Sequence, residues 1–168
     1  DKVIVCDDGS TDMTREIAER LGATVLKHEK NLGKGEAIRT LFRAAIKEDP
    51  DIVVTLDADG QHNPEEIPKL IEPIIQGKAD LVIGSRYVPG AQVNMPLYRK
   101  IGLKIVYFLG KKGPAGIVKD TQSGFRAFKA QVLDILSRYE SEGYGVETEQ
   151  LVIAAKHGLK VVEVPVEI

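Results

Sequence analysis

Three short apolar runs, each closing on a polar cluster, constrain this 168-residue chain more than any other feature. KVIVCDD (2–8), DIVVTLDA (51–58) and ADLVIGS (79–85) are β-branched and too short for helices, which marks them as buried strands. Segments of helical periodicity separate them. Asp12 can cap a helix over 13–21, with Ile17 and Leu21 on one face and Gly22 just past its end. Thr24-Val25-Leu26 is a short strand. NLGKGE then opens a helix over about 35–47, apolar at Ala37, Ile38, Leu41, Ala45 and Ile46. Asn63-Pro64 is a helix start, giving a helix to about Gln76 with Pro68 in its first turn and Pro73 kinking or shortening it.

Beyond 85 the pattern continues with a loop (86–96), a mixed basic and apolar helix (97–110) and a long connection (111–124). A short FRAF strand, helices near 129–138 and 146–157, and a strand over 160–167 complete the chain. Strands alternating with helices predict an α/β fold: a mainly parallel sheet with helices on both faces, Rossmann-like and suited to nucleotides. In open α/β sheets ligands bind at the carboxyl ends of the strands. DDGS, DADGQ and GSR all fall there, so the three clusters outline one site.

Bulk properties narrow the function. The chain is 43% apolar and 29% charged with a net charge of -2, which is no composition for a general nucleic-acid binder, and no nucleic-acid partner is expected. Cys6 is the single cysteine, so no internal disulfide forms and a reducing, cytoplasmic setting fits. No signal peptide heads the chain and no stretch reaches transmembrane length. The chain opens directly into a strand-like run and stops inside KVVEVPVEI; the expectation is one domain over 1–168, cut at both ends.

Each cluster has a chemical and a plain reading. In DDGSTD (7–12), Asp7 and Asp8 suit the neutral donors of a base or ribose, while turn and cap duties account for Gly9, Ser10 and Asp12. In NLGKGE, the glycines Gly33 and Gly35 flank Lys34 before a helix N-terminus that suits an anionic or polar ligand; a simple loop-to-helix turn explains it as well. In LDADGQH, Asp57, Asp59 and the amide oxygen of Gln61 supply hard oxygen ligands at alternating positions. Like charges so close call for a cation, and Mg²⁺ typically takes one or two carboxylates and completes its shell with phosphates and water. A solvated acidic turn is the alternative, and His62 is either a ligand or a surface residue.

Arg86, closing GSR, and Arg99 form a candidate phosphate clamp, against the ordinary fate of a surface salt bridge. The segment 97–112 alternates apolar residues with Arg99, Lys100, Lys104, Lys111 and Lys112, as either a helix lying on an anionic membrane surface or one packed on the sheet. Asp120, Glu147 and Glu149 are candidate general bases. At most one of Glu147 and Glu149 is expected to point into a site, since their spacing places them on different helix faces.

DDGSTD, N-x-G-K-G, DADGQH, GSR, DTQSGFRAF and GYGVETE, in this order, closely resemble family 2 glycosyltransferases of GT-A fold, in the branch of dolichyl-phosphate mannose synthase and related polyprenyl-phosphate glycosyltransferases. The resemblance covers nearly the whole chain. It implies that Asp7 and Asp8 contact the nucleoside of a nucleoside-diphosphate sugar (GDP-mannose or UDP-glucose type), with Gly33, Lys34, Gly35 and Asp57 also on the donor side. It further implies that Asp57, Asp59 and Gln61 hold Mg²⁺ or Mn²⁺ against the diphosphate, and that Arg86 and Arg99 bind the phosphate of a polyprenyl or dolichyl acceptor. Such an enzyme inverts the anomeric centre, works with Asp59, Arg86 and Arg99 as its catalytic group, and sits peripherally on the cytoplasmic face of a membrane. A phosphate acceptor is already anionic, so no strong base is needed.

Three departures stand out. No I-P-x-Y-N-E-like strand precedes Asp1, no arginine-bearing segment follows Ile168, and Leu103 occupies a position where some synthases carry serine. Other readings are a soluble or polysaccharide acceptor, a non-catalytic sugar-nucleotide-binding module, and a haloacid-dehalogenase-type phosphatase. The last rests on the likeness of DADGQ to D-x-D-G-[TV].

Overall fold

The computed structural model describes residues 1–89, 118–141 and 145–167. Its strands are β1 (Ile4–Asp7), β2 (Thr24–Lys27), β3 (Ile52–Thr55), β4 (Leu81–Ser85), β5 (Arg126–Lys129) and β6 (Val161–Pro165). Its helices are α1 (Thr14–Arg20), α2 (Lys34–Lys47), α3 (Ile67–Ile75), α4 (Leu133–Leu136) and α5 (Val146–Lys156), with short 3₁₀ turns leading into α3 and α4. The segments read from sequence as the loop after Pro89, the basic helix 97–110 and the start of the 111–124 connection lie outside the described residues.

β1 and β2 form a parallel pair, with Val5 opposite Val25. The other four strands form a sheet in the order β3-β5-β4-β6, in which β4 and β6 are parallel and β5 runs antiparallel between β3 and β4. The FRAF strand therefore sits inside the sheet as its one reversed member. That reversal brings the approach to β5, residues 120–125, to the same rim as the carboxyl ends of β3 and β4, since Arg126 lies opposite both Thr55 and Ile83.

Period-two alternation sends apolar side chains to both faces of this sheet. Leu81, Ile83 and Phe128 pack on one side with Phe42 of α2, Leu133 and Leu136 of α4, and Leu151 and Ala154 of α5. Val82, Ala127 and Phe125 face the other side, where Leu70 and Ile74 of α3 cover them. In α2 the inward stripe runs Ile38, Phe42, Ala45, centred on a phenylalanine that is 1% exposed, while Ile46, expected inside, is 44% exposed. Ile17 and Leu21 share a face of α1, and that face points outward at 52% and 82% exposure.

The helix starts follow their local chemistry. Asn63 Oδ1 accepts from Glu65 N–H at 3.0 Å, and Pro68 sits in the first turn of α3, where its missing N–H costs nothing. Asp12 accepts from the N–H and hydroxyl of Thr14, the first residue of α1. Pro73 lies within α3 without ending it before Ile75.

Candidate active site

β3 ends at Thr55, earlier than the run DIVVTLDA suggests, so Asp57 and Asp59 sit on the loop beyond it and strand alternation does not set their directions. Asp57 is half-buried and Asp59 exposed. Asp57 is clasped on several sides. Lys34 Nζ lies 2.9 Å from its Oδ1 and 3.0 Å from its Oδ2, and its own N–H donates to His62 Nδ1 at 3.1 Å. Because Nδ1 accepts that bond, the proton of the neutral His62 ring is on Nε2, and the ring stacks on Phe125 with centroids 5.1 Å apart. Burial holds the His62 pKa below its ordinary value, against the pull of Asp57 and Asp59, and Arg86 and Lys34 add to the lowering. The Lys34–Asp57 pair and the Asp57–His62 bond place these three residues on a single rim.

Lys34 also pairs with Glu147 Oε1 at 2.8 Å, joining α2, the β3 loop and α5. Burial pulls its pKa down, and the hydrogen bonds it donates to Glu147 and Asp57 outweigh that and hold it raised. Of the two neighbouring glutamates only Glu147 reaches this rim; Glu149 turns back to accept from Glu140 N–H and Ser141. The expectation of at most one inward glutamate is met.

The first loop is organised by Asp8. Its carboxylate accepts from Leu32 N–H and Gly33 N–H, both at 2.9 Å, and lies 2.6 Å from His28 Nδ1. The loop amides that the sequence offers to a ligand therefore turn inward, Gly33 N–H included. Gly35 carries its backbone carbonyl to the Tyr139 hydroxyl, 2.8 Å away. Asp7, 3% exposed, accepts from Ser10 N–H at 2.8 Å. Gly9 has φ +81°, and a Cβ there would stand 2.6 Å from Asn31 N, so only glycine lets the first loop touch the loop carrying Lys34. Cys6 has its pKa raised to about 11, chiefly by burial, with Asp8 adding to it; it is an inert thiol.

Arg86 leaves β4 and meets Asp120 as a fork, Nε to Oδ2 and Nη2 to Oδ1, both 2.8 Å, while its own N–H donates to Oδ2 at 3.0 Å. The Asp120 bonds raise its pKa although burial works against them. Glu163 of β6 receives the N–H groups of Lys119 and Asp120 and so fixes the acid in place. Arg99, the second half of the expected clamp, lies outside the described residues.

Beneath the rim is a group whose role the sequence reading missed. Arg126 is fully buried, and it donates to the carbonyls of Thr121, Ser123 and Glu147 and to Gln150 Oε1 at 2.8–3.1 Å. Burial pushes its pKa down to about 10, with Glu147, Asp120 and Asp57 opposing, so it stays charged at neutral pH. A lone arginine inside the apolar tetrapeptide FRAF was the available signal. For His28 nothing in the local pattern links position 28 to position 8.

The donor set fits a hard divalent ion only of one kind. Among the described residues Asp59 accepts just the Gln61 N–H, Gln61 is exposed beside it, and the oxygens of Asp57 carry one cationic partner, Lys34 Nζ. No cluster of three His, Cys, Asp or Glu side chains suited to a metal exists among the described residues. Such a rim suits Mg²⁺ or Mn²⁺ completed by phosphate oxygens and water, and not a cation that needs a full protein cage.

Fold and rim together define a GT-A-type glycosyltransferase domain. The chain belongs to glycosyl transferase family 2, which residues 1–136 match. It is 37% identical to the UDP-N-acetylglucosamine–dolichyl-phosphate N-acetylglucosaminyltransferase of Methanococcus voltae, over 99% of this chain and 74% of that protein. It is 36% identical to the undecaprenyl-phosphate mannosyltransferase of Micrococcus luteus (98% and 70%). With the dolichol-phosphate mannosyltransferase of Pyrococcus furiosus it shares 39% (98% and 47%). Among solved structures, glucosyl-3-phosphoglycerate synthase from Mycobacterium tuberculosis, in complex with Mn²⁺, UDP-glucose and phosphoglyceric acid, matches with a TM-score of 0.76 at 29% identity, covering 100% of this chain and 59% of that one. The likeness of DADGQ to a phosphatase loop is thus a coincidence of a few residues.

Proposed function

We propose that this domain transfers a hexose-type sugar from a nucleoside-diphosphate donor to a polyprenyl or dolichyl phosphate, with inversion and with the help of Mg²⁺ or Mn²⁺. The observation that carries this reading is that relatives named for such acceptors match over 98–99% of the chain. In the reaction, an oxygen of the acceptor phosphate bonds to the anomeric carbon as the bond from that carbon to the diphosphate breaks, and the electron pair leaves with the diphosphate. The incoming oxygen is already anionic, so no group need take a proton from it.

The chain's own residues act by placement and charge. Asp59, Asp57 and Gln61 would hold the divalent ion, which when bound neutralises charge on the departing diphosphate. Lys34 stands beside Asp57 as a second cation for the donor phosphates. Arg86, aligned by Asp120 through Nε and Nη2, would offer its remaining nitrogen to the acceptor phosphate, with Arg99 as its partner. Asp7 and Asp8 line the nucleoside side, Asp8 chiefly by holding the loop of Gly33 and Gly35. A polyprenyl acceptor would bring the domain to a membrane face through segment 97–112; among the described residues no helix is long and apolar enough to cross a membrane.

The structural likeness to a phosphoglycerate-glucosylating enzyme favours a second reading, a small phosphorylated acceptor. Radiolabelled UDP- and GDP-sugars, offered with undecaprenyl phosphate or with 3-phosphoglycerate in the presence of Mn²⁺, separate the two. The expected product is organic-soluble and appears only with the lipid. Label that moves only to phosphoglycerate supports the second reading, and label that moves to neither removes both. Asp59→Ala should lower transfer at least about a hundredfold, while melting stays as in the parent because Asp59 is exposed.

A further inference from the structure

The Asp57 carboxylate lies directly against the Cα of Gly124. A Cβ at that glycine would stand 2.5 Å from Asp57 Oδ2 and 3.0 Å from both Cγ and Oδ1. Such separations are far inside contact distance, so only a residue without a side chain lets the carboxylate take its present position. The loop cannot back away to make room. Thr55 Oγ1 donates to the Gly124 carbonyl at 2.9 Å, and Arg126 holds the carbonyls of Ser123 and Thr121 at 2.8 and 2.9 Å. Phe125, next in the chain, is fully buried. The same carboxylate also meets Lys34 Nζ. Asp57 therefore sits in a slot with a rigid backbone wall and a cationic wall.

We propose that Gly124 is a positioning residue for Asp57: the loop stapled by Arg126 presents a bare Cα that fixes the carboxylate where the donor diphosphate and its divalent ion are met. The inference rests on the role given to Asp57 above, and adds to it the backbone that sets the geometry. Residues that orient a metal-binding carboxylate typically change metal affinity by about ten- to a hundredfold when altered.

The test is Mn²⁺ binding in the presence of saturating UDP or GDP, whose phosphates complete the ion's shell, followed by electron paramagnetic resonance, in the parent and in Gly124→Ala. The expected result is a dissociation constant raised at least about tenfold, with unchanged circular dichroism. Equal affinity in a folded Gly124→Ala protein overturns the inference and leaves the proposed function standing. A parent that binds no Mn²⁺ with or without UDP or GDP overturns both. Should Gly124→Ala fail to fold, Gly124→Ala/Asp57→Ala decides: regained folding assigns the clash to the carboxylate as proposed, and continued failure refutes it.

Discussion

Arg86 is both a candidate ligand for the acceptor and half of a structural pair. Asp120 is 2% exposed and has its charge met by the Arg86 fork, so removing the arginine leaves a buried carboxylate without its cation. Arg86→Ala should cost about 3 kcal/mol of stability, the lower end for a broken buried pair because Arg86 itself is partly exposed. Urea melts of Arg86→Ala and Arg86→Ala/Asp120→Ala check this: the double variant should recover part of the loss, and an Arg86→Ala midpoint equal to the parent's would make the pair energetically idle. Activity loss in Arg86→Ala is therefore read against stability before it is assigned to the acceptor. The same double duty applies to Asp8, whose pKa is held down, against burial, by the bonds from Leu32, His28 and Gly33. Pairs such as Asp8 with His28, or Asp57 with Lys34, join positions 20 or more apart, and no local spacing announces them.

At the scale of elements, β5 decides the layout. Its antiparallel placement delivers Gly124 and Arg126 to the rim and Phe128 to the core, where Phe128 meets Phe42 edge-on with ring centroids 5.2 Å apart. Phe128→Ala should destabilise by about 3–5 kcal/mol, the usual range for a phenylalanine deleted from a closed core; chemical denaturation measures it, and a loss under about 1 kcal/mol would mean that the central strand is looser than its packing implies. The elements themselves were legible. Asn63-Pro64, the β-branched runs and the α2 stripe are local signals, and they gave element types and approximate bounds. FRAF was legible as a strand but its reversed direction was not, because strand order depends on which neighbour supplies the backbone partners. The exposed Ile17 of α1, with Met13 and Leu21 at the helix ends, shows the same limit: periodicity defines a face without saying what it meets.

For the whole molecule, acid is the predicted weak point. Asp80 accepts from Lys160 N–H at 2.9 Å and pairs with Lys129 Nζ at 3.2 Å, tying β6 and β5 to the start of β4. Its pKa is lowered, first by the Lys160 bond, with burial opposing and Lys129 adding to the lowering. A carboxyl whose folded pKa lies below its unfolded value of about 3.9 contributes fully above that value, and the contribution is lost as pH falls through the folded pKa. Asp80→Asn should therefore cost about 1–2 kcal/mol at pH 7, and the gap to the parent should narrow as pH falls below the unfolded value and through the lowered folded pKa. Urea midpoints of the two proteins across that range are the measurement, and a gap independent of pH would contradict the assignment.

The sequence by itself determined the α/β class, the succession of strands and helices, and the three polar clusters that mark the candidate rim. These are set by the order of residues along the chain, through periodicity, propensity and capping. Only the tertiary structure decided that Lys34 answers Asp57 and Glu147, that Asp120 holds Arg86, and that a buried arginine and a bare glycine shape the slot of Asp57. Those facts depend on close approaches between segments far apart in the chain, and packing alone fixes which distant groups come within reach.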